Sequence, residues 1–113
     1  MTVVEAHLER IAHVNPKLNA VVVLDADGAL AAARAADSVR ARGAPLGPLH
    51  GVPVTIKDWI DVANLPCTGG DPAFRERVPG EDATVVSRLR EAGAIVLGKT
   101  NVMTDNAVYG PTF

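Results

Sequence analysis

Lys57 is the charged residue best placed to do chemistry. It follows Val52-Pro53-Val54-Thr55-Ile56 without a break and is followed at once by Asp58. An apolar, β-branched run of that length reads as a strand, so Lys57 leaves the strand at its C-terminal end, where sites are built in α/β sheets. Partial desolvation there would favour the neutral amine, a usable general base. The same residue type also serves as a snorkelling lysine, or as the partner of Asp58 or Asp61.

Other reactive residue types are sparse and scattered. His7, His13 and His50 show no metal-ligand spacing, and His7 and His13, six residues apart, fall on different helix faces. No metal or cofactor is expected. Ser38 and Ser87 lie inside helical patterns with no glycine-rich elbow around them, which argues against a nucleophile at either position. Cys67 is the single cysteine, so an internal disulfide framework is excluded, and a reducing, cytoplasmic setting fits. Gly98-Lys99-Thr100 invites a phosphate-binding reading. The residues between it and Gly93 are an apolar strand pattern rather than a glycine-rich loop, and the reading is set aside.

The elements that position Lys57 can be read from periodicity and breakers. A helical start covers residues 1–18: Val3, Val4, Leu8 and Ile11 lie on one face, and Asn15-Pro16 ends the helix. Residues 19–24 read either as a buried strand or as a lead into the next helix. Asp25 or Asp27 caps an alanine-rich helix from about Ala26 to Arg42, closed by Gly43. The lysine-bearing strand region is 52–57, with Trp59 to Val62 continuing in extended form. A long Pro- and Gly-rich loop runs from Asn64 to Gly80. A helix–strand unit covers residues 82–98. In it Asp82 caps the helix Ala83–Ala92, Val85, Val86 and Leu89 face inward, and Ala94–Leu97 is a strand buried on both faces, paired in parallel with the lysine strand. Thr104 to Phe113 contain no closing element.

Taken in order, these segments resemble the amidase signature family. Gly47-Pro48-Leu49-His50-Gly51-Val52-Pro53-Val54-Thr55-Ile56-Lys57-Asp58 is similar to that family's catalytic-lysine segment. Asn15-Pro16-Lys17-Leu18-Asn19-Ala20 and the alanine-rich helix ending near Asp37 are similar to its N-terminal region. Asp82-Ala83-Thr84-Val85-Val86, Leu89, Ala92-Gly93-Ala94, Gly98-Lys99-Thr100-Asn101 and Tyr109-Gly110-Pro111-Thr112 follow in the family's order, over about nine-tenths of the chain. The resemblance implies the N-terminal portion of a three-layer α/β/α amidase-signature fold with a mixed sheet, incomplete here. It implies a serine hydrolase of carboxylic amides in which Lys57 is the base of a Ser-cisSer-Lys triad. Both serines and the Gly/Ser-rich signature are expected beyond Thr112. Where the family usually has Asn-Pro after that position, this chain has Phe113, which suits a fragment.

Three functions are therefore open. The first is an amidase piece that carries the base without the nucleophile and is inactive alone, with a small-molecule amide as substrate of the complete protein. The second is a non-catalytic module that associates, or self-associates, through exposed sheet edges. The third is a relative of the amidotransferase A subunits within the same family. Lys and Arg total 11 against 13 for Asp and Glu, which offers no footprint for nucleic acid or an anionic membrane. Met1–Arg10 carries Glu5, His7, Glu9 and Arg10, unlike a signal peptide, and no apolar run is long enough to span a bilayer. At 48% hydrophobic and 21% charged residues the chain is globular in composition. Its uncovered strands predict marginal stability: a dimer or aggregate, or a partly ordered monomer.

Overall fold

The computed structural model describes residues 1–102 and 105–113. Its elements are α1 (Thr2–Val14), β1 (Val21–Leu24), α2 (Ala26–Ala41), β2 (Pro53–Lys57), α3 (Thr84–Glu91) and β3 (Ile95–Thr100), with short 3₁₀ turns at Asn15–Lys17 and Pro72–Phe74. The sheet order is β1-β3-β2; β1 runs antiparallel to β3 and β2 parallel to it. Parallel neighbours need a long crossover, here the loop after β2 followed by α3.

Three layers result. On one face of the sheet α1 and α2 pack against β3 through Val4, Ala29, Ala33, Ile95 and Leu97. On the other, α3 and the loop after β2 enclose Ile56, Val62, Val86 and Val96. Ala29 and Ala33 are fully buried, so the small side chains of α2 are what let its backbone approach the sheet. Asp25 caps α2 by accepting from the Gly28 N–H. The N-terminal amine reaches across to Asp37 on α2.

β3 is the central strand and is buried along almost its whole length, as its apolar run predicts. It extends past Leu97 through Gly98, Lys99 and Thr100. Residues 21–24, open between two readings, form an edge strand. β2 is the other edge, not a strand covered on both faces: Thr55 and Lys57 are exposed and Ile56 buried. Three further expectations are corrected. Residues 59–62 turn away instead of continuing extended, because Asp58 is tied to β3 and Ile60 N–H closes back onto the Lys57 carbonyl. Asp82 does not cap α3, which begins at Thr84 after Ala83. Its carboxylate instead accepts from the Ala63 N–H at 2.8 Å and pairs with Arg90 at 3.2 Å, joining loop and helix. Val85 points outward and is half exposed, while Val86 carries the burial. The expectation for Thr104 lies outside the described residues; residues 105–113 form no helix or strand.

Gly93 is required where α3 meets β3. Its φ is +102°, and an added Cβ would stand 2.7 Å from the His50 Cα. This close approach lets the chain before β2 pack on the start of β3, with Leu49 N–H bonded to the Ala92 carbonyl and Gly51 N–H to that of Gly93.

Candidate active site

The C-terminal end of β2 carries two neighbouring side chains with opposite fates. Lys57 is exposed, and its Nζ lies 4.8 Å from the centre of the Trp59 ring. This corrects the expectation that Lys57 is partly desolvated: β2 is an edge strand, and the face that bears Lys57 is uncovered in this chain. Neither carboxylate offered by the sequence is its partner. Asp58 pairs with Lys99 and Asp61 with Arg77.

Asp58 is fully buried, and so is Lys99. The Lys99 ammonium donates to Asp58 Oδ1 at 3.2 Å and to the Pro66 carbonyl at 3.3 Å. Thr68 donates to Asp58 Oδ2 through Oγ1 at 2.7 Å, and its Oγ1 accepts from the Gly70 N–H at 3.0 Å. The backbone is tied at the same place: Asp58 N–H bonds the Thr100 carbonyl on β3, and Gly69 N–H bonds the Asp58 carbonyl at 2.8 Å. Gly69 and Gly70 both have positive φ, the reason the loop can turn so tightly here. The sequence patterns do not foretell the pairing of Lys99 with Asp58. From Gly93 to Gly98-Lys99-Thr100 the spacing is formally that of a P-loop, but those residues are a strand and the lysine is sealed in an ion pair, so no phosphate can be cradled.

The loop after β2 is organised rather than slack. Cys67 N–H bonds the Arg77 carbonyl, Asn64 N–H that of Pro79, and Arg77 holds Asp61 in a two-pronged pair at 2.6 and 2.7 Å. A cleft of about 660 Å³ opens beside Trp59, with Phe74, Ile60, Thr68, Gly69 and the Arg77–Asp61 pair around it. Trp59 is 60% exposed, so its ring presents apolar surface to this cleft and cationic contact to Lys57 at once. Burial pushes the Cys67 thiol above its ordinary value, which keeps it protonated and poorly nucleophilic. Ser38 donates to the Arg34 carbonyl on α2 and Ser87 sits on α3; among the described residues neither is hydrogen-bonded to Lys57.

Asp61 gives a pH-dependent handle on this loop. The hydrogen bond from Arg77 holds its carboxyl at about 2, below the ordinary 3.8. A depressed carboxylate contributes stability above its unfolded value and loses it as pH falls through the folded one. The loop should therefore loosen between pH 4 and pH 2, as read by the rate of pepsin cleavage within residues 64–80, and Arg77→Ala should abolish that pH step. Both side chains are partly exposed, so the pair is worth no more than about 1 kcal/mol.

Among the described residues no helix is long and apolar enough to cross a membrane. The Amidase family model matches residues 2–112. The glutamyl-tRNA(Gln) amidotransferase A subunit of Acidothermus cellulolyticus is 46% identical over 97% of the chain and 23% of that protein. Indoleacetamide hydrolase of Bradyrhizobium diazoefficiens is 50% identical over 96% of the chain and 22% of that protein. The peptide amidase of Stenotrophomonas maltophilia superposes with a TM-score of 0.82 at 45% identity, over 88% of the chain and 21% of that structure. The chain thus spans about a quarter of the length of the proteins it matches. With residues 2–112 matched, and β2, β3 and their covering helices arranged as in these enzymes, the chain belongs to the amidase signature family.

Proposed function

We propose that this chain is the N-terminal part of an amide hydrolase domain and supplies its base, Lys57. The observation that carries the reading is an exposed lysine at the C-terminal end of a sheet strand, on the open face of a chain matched to the family along its length. In the reaction the resemblance implies, the Lys57 amine takes the proton of a serine held by a cis peptide bond. That serine in turn accepts the proton of the nucleophilic serine, which attacks the amide carbonyl. Backbone N–H groups hold the oxyanion, ammonia or an amine leaves with a returned proton, and water clears the acyl-enzyme. A cytoplasmic setting belongs to this reading, supported by the single, unbridged Cys67.

Ser38 and Ser87 are not placed to fill either serine role, so the triad needs residues outside these 113. The chain alone should show no turnover of simple aliphatic or aromatic primary amides and should take up no label from a fluorophosphonate. Turnover by the chain that Lys57→Ala abolishes would overturn this division of labour.

Two further readings have their own support. Similarity to the amidotransferase A subunits favours transfer of the amide nitrogen to a charged tRNA; following that nitrogen with ¹⁵N separates transfer from release into water. Self-association is supported by the open edges of β1 and β2 and by exposed Val52, Trp59, Phe74 and Val78. At micromolar concentration the chain should sediment heavier than 11.8 kDa, and an ideal monomer across that range would exclude the association.

A further inference from the structure

The alternation of β3 is broken at one point, and the break decides where Lys99 points. Ile95 and Leu97 face α1 and α2, while Val96 faces α3. Strict alternation would send Lys99 to the same side as Leu97. The pairing slips instead: Val54 is opposite Val96, but Thr55 is already opposite Gly98, and Ile56 is opposite Lys99. One extra residue in a strand re-aims the side chains beyond it. Lys99 is thereby turned to the face of Ile56, where Asp58 lies. Only glycine fits at the slip, because a Cβ on Gly98 would run into the Val23 carbonyl oxygen on β1.

The pair so formed is fully buried, and every polar side-chain atom in it has a partner. A buried ion pair stabilises a fold little compared with apolar residues of the same volume. Its surroundings, Ile56, Val62, Val86 and Val96, show that an apolar filling was compatible with this side of the sheet. What the pair does that apolar residues cannot is fix direction. It holds Asp58 to the buried face through Lys99 and Thr68, and successive residues at a strand end face opposite ways. Lys57 is then committed to the open face, against Trp59.

We propose that Asp58, held by Lys99 and Thr68, is a positioning residue for Lys57, and that the slip at Gly98 exists to aim Lys99 at it. The proposal rests on the reading of Lys57 as the base. Its test needs no turnover. The sequence has three lysines, Lys17, Lys57 and Lys99, so a chain labelled with ¹³Cε-lysine gives three side-chain signals. Stacked against Trp59, the Lys57 signal should be displaced upfield of the exposed Lys17 signal, and Trp59→Leu should bring the two together. Asp58→Asn should remove more than half of the displacement. Because that variant leaves Lys99 without its counter-charge, Asp58→Asn/Lys99→Met is measured beside it: both charges are gone and the volume is kept. The double variant should keep dispersed Val86 and Val96 methyl signals and still lose more than half of the Lys57 displacement. A Lys57 signal unchanged from the parent in the folded double variant overturns the positioning role and leaves the base assignment standing. Lys57→Ala without effect on an active amidase would do the reverse.

Discussion

Lys57→Ala, made in a polypeptide that carries this chain within a complete amidase domain, should lower the rate of amide hydrolysis by about 10²- to 10⁴-fold, the range general-base catalysis supplies. Serine is a weak nucleophile at neutral pH, and the relay has no entry point for the proton once the amine is gone. The loss should fall on kcat more than on KM, since the amine acts on a serine rather than on the part of the substrate that binds. In the isolated chain stability should hardly move: there Lys57 is exposed, and what alanine removes from the folded state is the contact with Trp59, worth about 0.5–1 kcal/mol at an exposed site. A large activity loss in the complete domain, with an unchanged melt of the isolated chain, is the signature of a base. Turnover within a few-fold of the parent would show that Lys57 is no more than a solvated lysine over an aromatic ring.

The parts of this molecule that were legible in the sequence are those governed by local rules. Apolar runs gave β2 and β3, and alanine density with Asp25 gave α2, because these depend on near neighbours in the chain. The parallel pairing of β2 with β3 followed from the intervening helix. The place of Lys57 at the end of β2 was legible because it follows its apolar run directly. What lay beyond reach depended on partners far away in sequence. Asp82 has the spacing of a helix cap, yet its carboxylate is taken by Ala63 and Arg90. Val85 and Val86 are both β-branched neighbours on a short helix, and only packing on Val96 and Ile56 decides which is buried. Lys99 looked like the end of a glycine–lysine motif, and nothing local says that a slip in the ladder turns it inward toward a residue 41 positions away. A lysine one glycine past an apolar strand run, with an aspartate at the end of the preceding strand, is the signal that could have found it.

Asp58→Ala should be among the most damaging single substitutions for the fold itself. It removes the carboxylate and leaves the Lys99 ammonium in a site with no access to water, where the Pro66 carbonyl is its remaining hydrogen-bond partner among the described residues. Breaking a buried pair on one side costs about 3–5 kcal/mol. That is a large share of the roughly 5–15 kcal/mol by which domains are stable, and the described residues hold one sheet of three strands. Thr68 Oγ1 also loses its acceptor, so the 66–70 turn that Asp58 organises should open with it. Lys99→Met is expected to cost less, because the Asp58 carboxylate keeps the bonds from Thr68 Oγ1 and N–H and a methionine fills the space of the lysine stem. Asp58→Ala/Lys99→Met should be milder than Asp58→Ala alone, since the stranded cation is gone. Denaturant unfolding followed by the emission of Trp59, the sole tryptophan, orders the three variants. If Asp58→Ala unfolds no more readily than the double variant, the cost lies in lost packing rather than in an unpaired charge, and the account of Lys99 as a sealed cation fails.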